Sequence, residues 1–148
     1  MKKLLPLILL LGLFASSSKA QKIEPLKLDQ EEIPAVYQLT DKLLCKSTQA
    51  TLLYQEPDMY SMILGKIVEK GHQSFEENKD KGTILYFIFD QDITDNAFIP
   101  GLLWGSTNKP TKAHPEEYIA KGNTLVVWSF DKDSTIKKLS KAKVTKAL

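Results

Sequence analysis

The side chains able to attack, ionise near neutrality or hold a transition metal are few in this chain. Cys45 is the one thiol, and His72 and His114 are the two imidazoles. A cysteine hydrolase would need Cys45, one of those histidines and an orienting group brought together in space. The neighbours of the thiol, Leu43-Leu44-Cys45, read instead as a small apolar residue entering a core. A zinc site needs further nitrogen or sulfur ligands at suitable spacing. His114-Pro115-Glu116-Glu117 does not provide them, because Pro115 stops a helix from setting His and Glu on one face. These residues predict no catalytic group, no metal and no cofactor.

Two further strings carry residue types found in known sites. Asp90-Gln91-Asp92-Ile93-Thr94-Asp95-Asn96 has the acids of a calcium loop, but Asp95 and Gly101 stand where an EF-hand needs Gly and Glu. Turn chemistry between two strands accounts for those acids. Ser134-Thr135-Ile136-Lys137 satisfies the Ser-x-x-Lys pattern without its companion motifs, and a helix cap is the simpler role. The aromatics remain. Tyr54, Tyr60, Trp104 and Trp128 carry flat faces and polar tips suited to a groove for sugars or peptides. They are the expected ligand-binding residues.

Composition limits the partners. All twenty basic residues are Lys, so the residue best shaped for bidentate grip on phosphate is absent. Residues 1–20 have a basic start, an apolar stretch from Leu4 to Phe14 and small residues before Gln21, the layout of a secretory signal peptide. Removing them takes three lysines and no acid, leaving 17 lysines against 18 acids, a charge of −1. Near-neutral charge without Arg argues against nucleic acid. No later stretch is long and apolar enough to span a bilayer, so the mature chain is expected to be periplasmic or secreted. One cysteine allows no internal disulfide, and stability must come from packing.

Stepping along the chain, residues 21–45 read as an N-terminal arm or short helix, and residues 46–148 as a single β-rich domain. Ala50–Tyr54 and Ser61–Val68 have the composition of strands, with a turn at Glu56-Pro57-Asp58, a bulge at Gly65 and a reversal at Lys70-Gly71. Thr83–Phe89 holds six consecutive apolar residues between turn signals, which predicts a central strand buried on both faces. Phe98–Trp104, broken by Pro100-Gly101, predicts two short pieces or a bent strand. His114–Ile119 predicts one helical turn. Gly122-Asn123 turns into the strand Thr124–Phe130. Asp133-Ser134 caps a lysine-rich helix with Ile136 and Leu139 on its packed side and the lysines on a solvated face.

Ala50 to Gly71, with its apolar start, Pro57 loop, Ser61, Leu64-Gly65 step and Lys70-Gly71 turn, resembles the opening of bacterial SH3-like (SH3b) domains. The resemblance extends at most over residues 46–104, and the tryptophans of the family's later strands are missing. It implies a small, partly open SH3-like barrel that binds cell-wall material or peptides. The combined expectation is a mainly β, non-catalytic, extracytoplasmic binding module whose partner is a cell-wall polymer or an envelope protein. The alternatives are an inhibitor or immunity-type protein that captures a secreted enzyme and, behind it, a small cysteine hydrolase.

Overall fold

The computed structural model describes residues 22–148, so the signal peptide expected over residues 1–20 lies outside the described residues. Five strands form one antiparallel sheet: β1 (Gln38–Thr40), β2 (Ile67–Glu76), β3 (Gly82–Phe89), β4 (Glu117–Lys121) and β5 (Thr124–Ser129). Their spatial order is β1-β2-β3-β5-β4, with β1 and β4 as free edges. Four helices, α1 (Thr48–Gln55), α2 (Ser61–Leu64), α3 (Ile99–Trp104) and α4 (Thr135–Ala147), cover the two faces. The sheet is open and does not close into a barrel.

The apolar run gives β3 its central place. All eight of its residues are buried. Side chains alternate across a strand, so Ile84, Tyr86 and Ile88 enter one core while Leu85, Phe87 and Phe89 enter the other. In β5, Val126 and Trp128 join the first core, Leu125 and Val127 the second. The first core is closed by Ile136 and Val144 of α4 and by Ile23, Leu26 and Leu28 of the N-terminal arm. The second is closed by Ala50 and Leu53 of α1, Leu64 of α2, and Ile99 and Leu103 of α3. Each large side chain buried in this way contributes about 1.5–3 kcal/mol.

The helices covering the second face correct the expectation of strands over residues 50–64. Ser47 caps α1, its hydroxyl accepting from the Ala50 N–H at 3.2 Å. Ala50 and Leu53, three residues apart, then face the core while Leu52 is exposed. Pro57 opens a 3₁₀ turn over Pro57–Tyr60 that runs into α2. Gly65, at φ +86°, ends that helix rather than bulging a strand. The bulge lies at Ile67/Glu69, and β2 runs straight through Lys70-Gly71, with Gly71 paired to Tyr86. Helices therefore replace the expected strands over most of residues 50–64.

Other expectations divide. Phe98–Trp104 is helical, with Pro100 in its first turn, where a missing N–H costs nothing. His114–Ile119 forms the entry and start of β4 instead of a helical turn, because Glu117–Lys121 pairs with Thr124–Trp128. The stretch 21–45, expected as an arm or short helix, contains the short strand β1. The central strand, the Gly122-Asn123 turn, the second strong strand and the Ser134 cap all form as the sequence predicts. Gly122 at φ +60° sits first in a two-residue hairpin turn, a position that favours glycine. Leu139 is 38% exposed, and the packed side of α4 is Ile136, Ser140 and Val144.

The lysines of α4 are tethers more than a solvated face. Lys137 is buried and pairs with Glu117 at 2.6 Å, and Lys141 meets the same carboxylate at 3.1 Å. Lys143 reaches Asp29 at 3.3 Å, Glu32 at 2.5 Å and the Lys27 carbonyl at 2.6 Å. The last helix thereby pins the edge strand β4 and the N-terminal arm.

Candidate functional site

Three places bring chemistry-bearing residues together. The first is a polar joint beneath the start of α1. Ser74, Thr83 and Ser129 occupy opposed positions on β2, β3 and β5, and so form one row across the sheet. Thr83 Oγ1 accepts from the Leu44 N–H at 2.7 Å, and Ser129 Oγ from the Lys46 N–H at 2.7 Å. Glu116, fully buried, accepts from the Ser47 hydroxyl at 2.5 Å and from the Ser129 hydroxyl at 2.8 Å. Its backbone carbonyl accepts from the Trp104 indole N–H at 2.8 Å. One residue thus holds the cap of α1, the end of α3 and the strand β5.

Cys45 lies in this joint. Burial, aided by the nearby Glu116 carboxylate and opposed by hydrogen bonds with Thr51, Thr83 and Ser129, raises its thiol to about 11. His72 meets the edge of the same joint, with Nδ1 3.3 Å from the Ser74 hydroxyl, itself 2.7 Å from Thr83 Oγ1, and its ring lies edge-on to Tyr54. Burial lowers its pKa and keeps the ring neutral. The joint has the chemistry of a structural clasp: a protonated thiol and hydroxyls spent on backbone N–H groups.

The aromatics expected to bind ligand do not share one surface. Trp128 is 1% exposed in the first core, and its indole N–H donates to Ser140 at 2.8 Å, which leaves it no face for a ligand. Tyr54, Tyr60 and Trp104 all border the second core and are half-buried. Tyr54 packs on Phe87 and His72, with the Lys70 ammonium 4.6 Å from its ring centre. Trp104 leans on Tyr118 at 5.7 Å.

Around them is the second place, an apolar surface that sequence reasoning missed. Met62 is 99% exposed, and Met59 and Phe98 are each 64% exposed. They come from two segments stapled together, since the Asn96 side chain donates to the Ile63 carbonyl at 3.0 Å and accepts from the Phe98 N–H at 2.9 Å. Exposure is invisible in the letters, where Ser61–Val68 has the composition of a strand.

The third place is a groove of about 1190 Å³ at the end of the sheet where β2 turns into β3. Its walls are the β2–β3 turn, the loop from Pro110 to Pro115, the start of β4 and the first turns of α4. Asp80 closes its floor: it accepts from the Tyr37 hydroxyl at 2.6 Å and from the Thr135 and Ile136 N–H groups of α4 at 3.0 and 3.3 Å. Burial works against its ionisation, but hydrogen bonds from Ser134, Tyr37 and those N–H groups outweigh it and hold the carboxyl below its usual value. Tyr37 is pushed up to about 12 by burial and by Asp80.

No family model matches the chain, and no curated protein or solved structure is significantly similar to it.

Proposed function

We propose that the chain is a non-catalytic binding module that acts outside the cytoplasm and recognises an envelope protein through its helical face. The observation that carries this reading is the exposure of Met59, Met62 and Phe98 on the helical face, whose second core is bordered by half-buried Tyr54, Tyr60 and Trp104. Methionine and aromatic side chains are enriched where proteins meet, and exposed apolar residues that lie together mark interaction sites. A protein partner fits this surface better than a cell-wall polymer, because a sugar chain would want the flat aromatic faces that are half-buried here. The likeness to SH3b domains enters only as a sequence likeness over residues 46–104. A Cys45 thiol that burial holds protonated favours recognition over a cysteine hydrolase.

The same surface would serve an inhibitor or immunity-type protein, and affinity separates the two. Tight one-to-one capture of a secreted enzyme marks the inhibitor, and weaker binding to envelope proteins marks the module. The test is a pull-down with the purified chain against envelope proteins and against intact cell wall. A Met62→Asp/Phe98→Asp variant should keep its fold and lose the captured protein. Undiminished capture by that variant, or retention on cell wall alone that Tyr54→Ala abolishes, would refute the reading.

A further inference from the structure

The groove at the end of the sheet has a charge pattern that its own structural bonds do not use up. Of the lysines lining it, Lys137 and Lys141 are spent on Glu117. Lys79, Lys112, Lys132 and Lys138 line it from four different segments, are exposed, and make no ion pair among the described residues. Of the acids, Asp80 is spent on the cap of α4 and Glu117 on the two lysines. Asp131 is 3.8 Å from Lys46. Glu77 and Asp133 are left to oppose four ammonium groups.

The groove also opens onto hydrogen-bonding backbone. Glu117, which lines it, is the first residue of β4, and β4 is an edge strand. The two-residue turn makes Lys121 and Thr124 a hydrogen-bonded pair, so the alternate residues Tyr118 and Ala120 direct their N–H and C=O groups outward. Among the described residues, no backbone hydrogen bond joins that outer edge to another element. An extended chain lying on β4 would satisfy these groups while its near end sat among the lysines.

We infer that the groove and the free edge of β4 together receive an extended, carboxylate-bearing segment of a protein partner, which adds to the sheet as a sixth strand. The charge favours spaced carboxylates. A dense phosphate polymer would set a charge beside Glu77 and Asp133 at every step and would have no use for the strand edge. This site lies apart from Met59, Met62 and Phe98, and its test does not depend on that surface.

The probe is a fluorescent alternating Glu-Thr decapeptide titrated into the full chain, with a Lys-Thr decapeptide and inorganic polyphosphate as comparisons. The acidic peptide should bind, and weaken several-fold between about 50 and 200 mM salt as the ammonium groups are screened. The charge reversal Lys112→Glu/Lys132→Glu/Lys138→Glu should weaken it at least tenfold. These side chains are exposed and unpaired, so the melting curve should hold. If it does not, the Lys→Gln triple replaces it, with at least threefold weakening expected. Ala120→Pro removes an outward N–H and should weaken binding without changing its salt slope. The inference is overturned if the acidic peptide fails to bind, if the Lys-Thr peptide binds equally, if polyphosphate binds more tightly, or if the charge-altered variants bind like the original.

Discussion

Asp80 connects three parts of the chain through one carboxylate oxygen, and removing it should be felt in a way that depends on pH. In Asp80→Ala the Tyr37 hydroxyl loses its acceptor at 2.6 Å, and the first N–H groups of α4 lose theirs at 3.0 and 3.3 Å. A hydrogen bond to a charged group is worth about 1.5–3 kcal/mol, and an acid at a helix start about 0.3–1 kcal/mol. Asp80 is partly exposed, so solvent can replace some of these bonds and the low end applies. The expected loss is about 2 kcal/mol at pH 7. For a domain of this length that lowers the melting temperature by roughly 6–10 °C. The folded carboxyl titrates below its unfolded value, so its contribution is full above that unfolded value and is lost as pH falls through the folded one. Urea unfolding of the original chain and Asp80→Ala should therefore differ by about 2 kcal/mol at pH 7, and the difference should shrink as pH falls through the folded carboxyl's lowered value. Tyr37→Phe should lose much of its own effect once Asp80 is gone, with a coupling of about 1 kcal/mol in the double-mutant cycle. A difference independent of pH, or below about 0.5 kcal/mol at pH 7, would show that the floor of the groove is held by something else.

Two further outcomes can be checked with little material. A Cβ on Gly82 would stand 2.2 Å from the Ser129 carbonyl and 2.5 Å from the Phe130 ring, so Gly82→Ala should cost about 3 kcal/mol or more, read by urea unfolding. A near-neutral result there would contradict the β3–β5 register. With its thiol near 11, Cys45 should react with iodoacetamide at pH 8 roughly a hundredfold more slowly than a free thiol, the rate rising steeply above pH 10. Alkylation at the speed of a small thiol would remove the buried joint around Glu116.

The parts of the fold that were readable are those in which one physical signal dominates. Ile84–Phe89 could only be a strand buried on both sides, and Gly122-Asn123 between Lys121 and Thr124 could only be a turn. Residues 50–64 carried two signals in conflict. Leu52, Leu53 and Tyr54 have strand-like composition, while Ser47 ahead of Thr48 offers a helix cap. The cap prevailed because the exposed edge of a helix tolerates Leu52 and the second core needs Ala50 and Leu53 together. The candidate site was less legible for the same kind of reason. Trp128 and Trp104 look alike as letters, yet Ser140, twelve residues after Trp128, takes one indole into the core. Glu116 was passed over as part of a failed metal motif, since its partners Ser47 and Ser129 are distant in sequence and leave no local mark.

The place of α4 after every strand of the sheet has a consequence for the order of assembly. Ile136 and Val144 complete the core that holds Tyr86 and Trp128, and Lys143 fastens the arm that closes its other side. During synthesis the sheet can pair its strands before this helix exists, but the first core stays partly open to water until α4 emerges. A chain halted before residue 135 would present a wide apolar surface, the kind a chaperone or protease reads as unfinished.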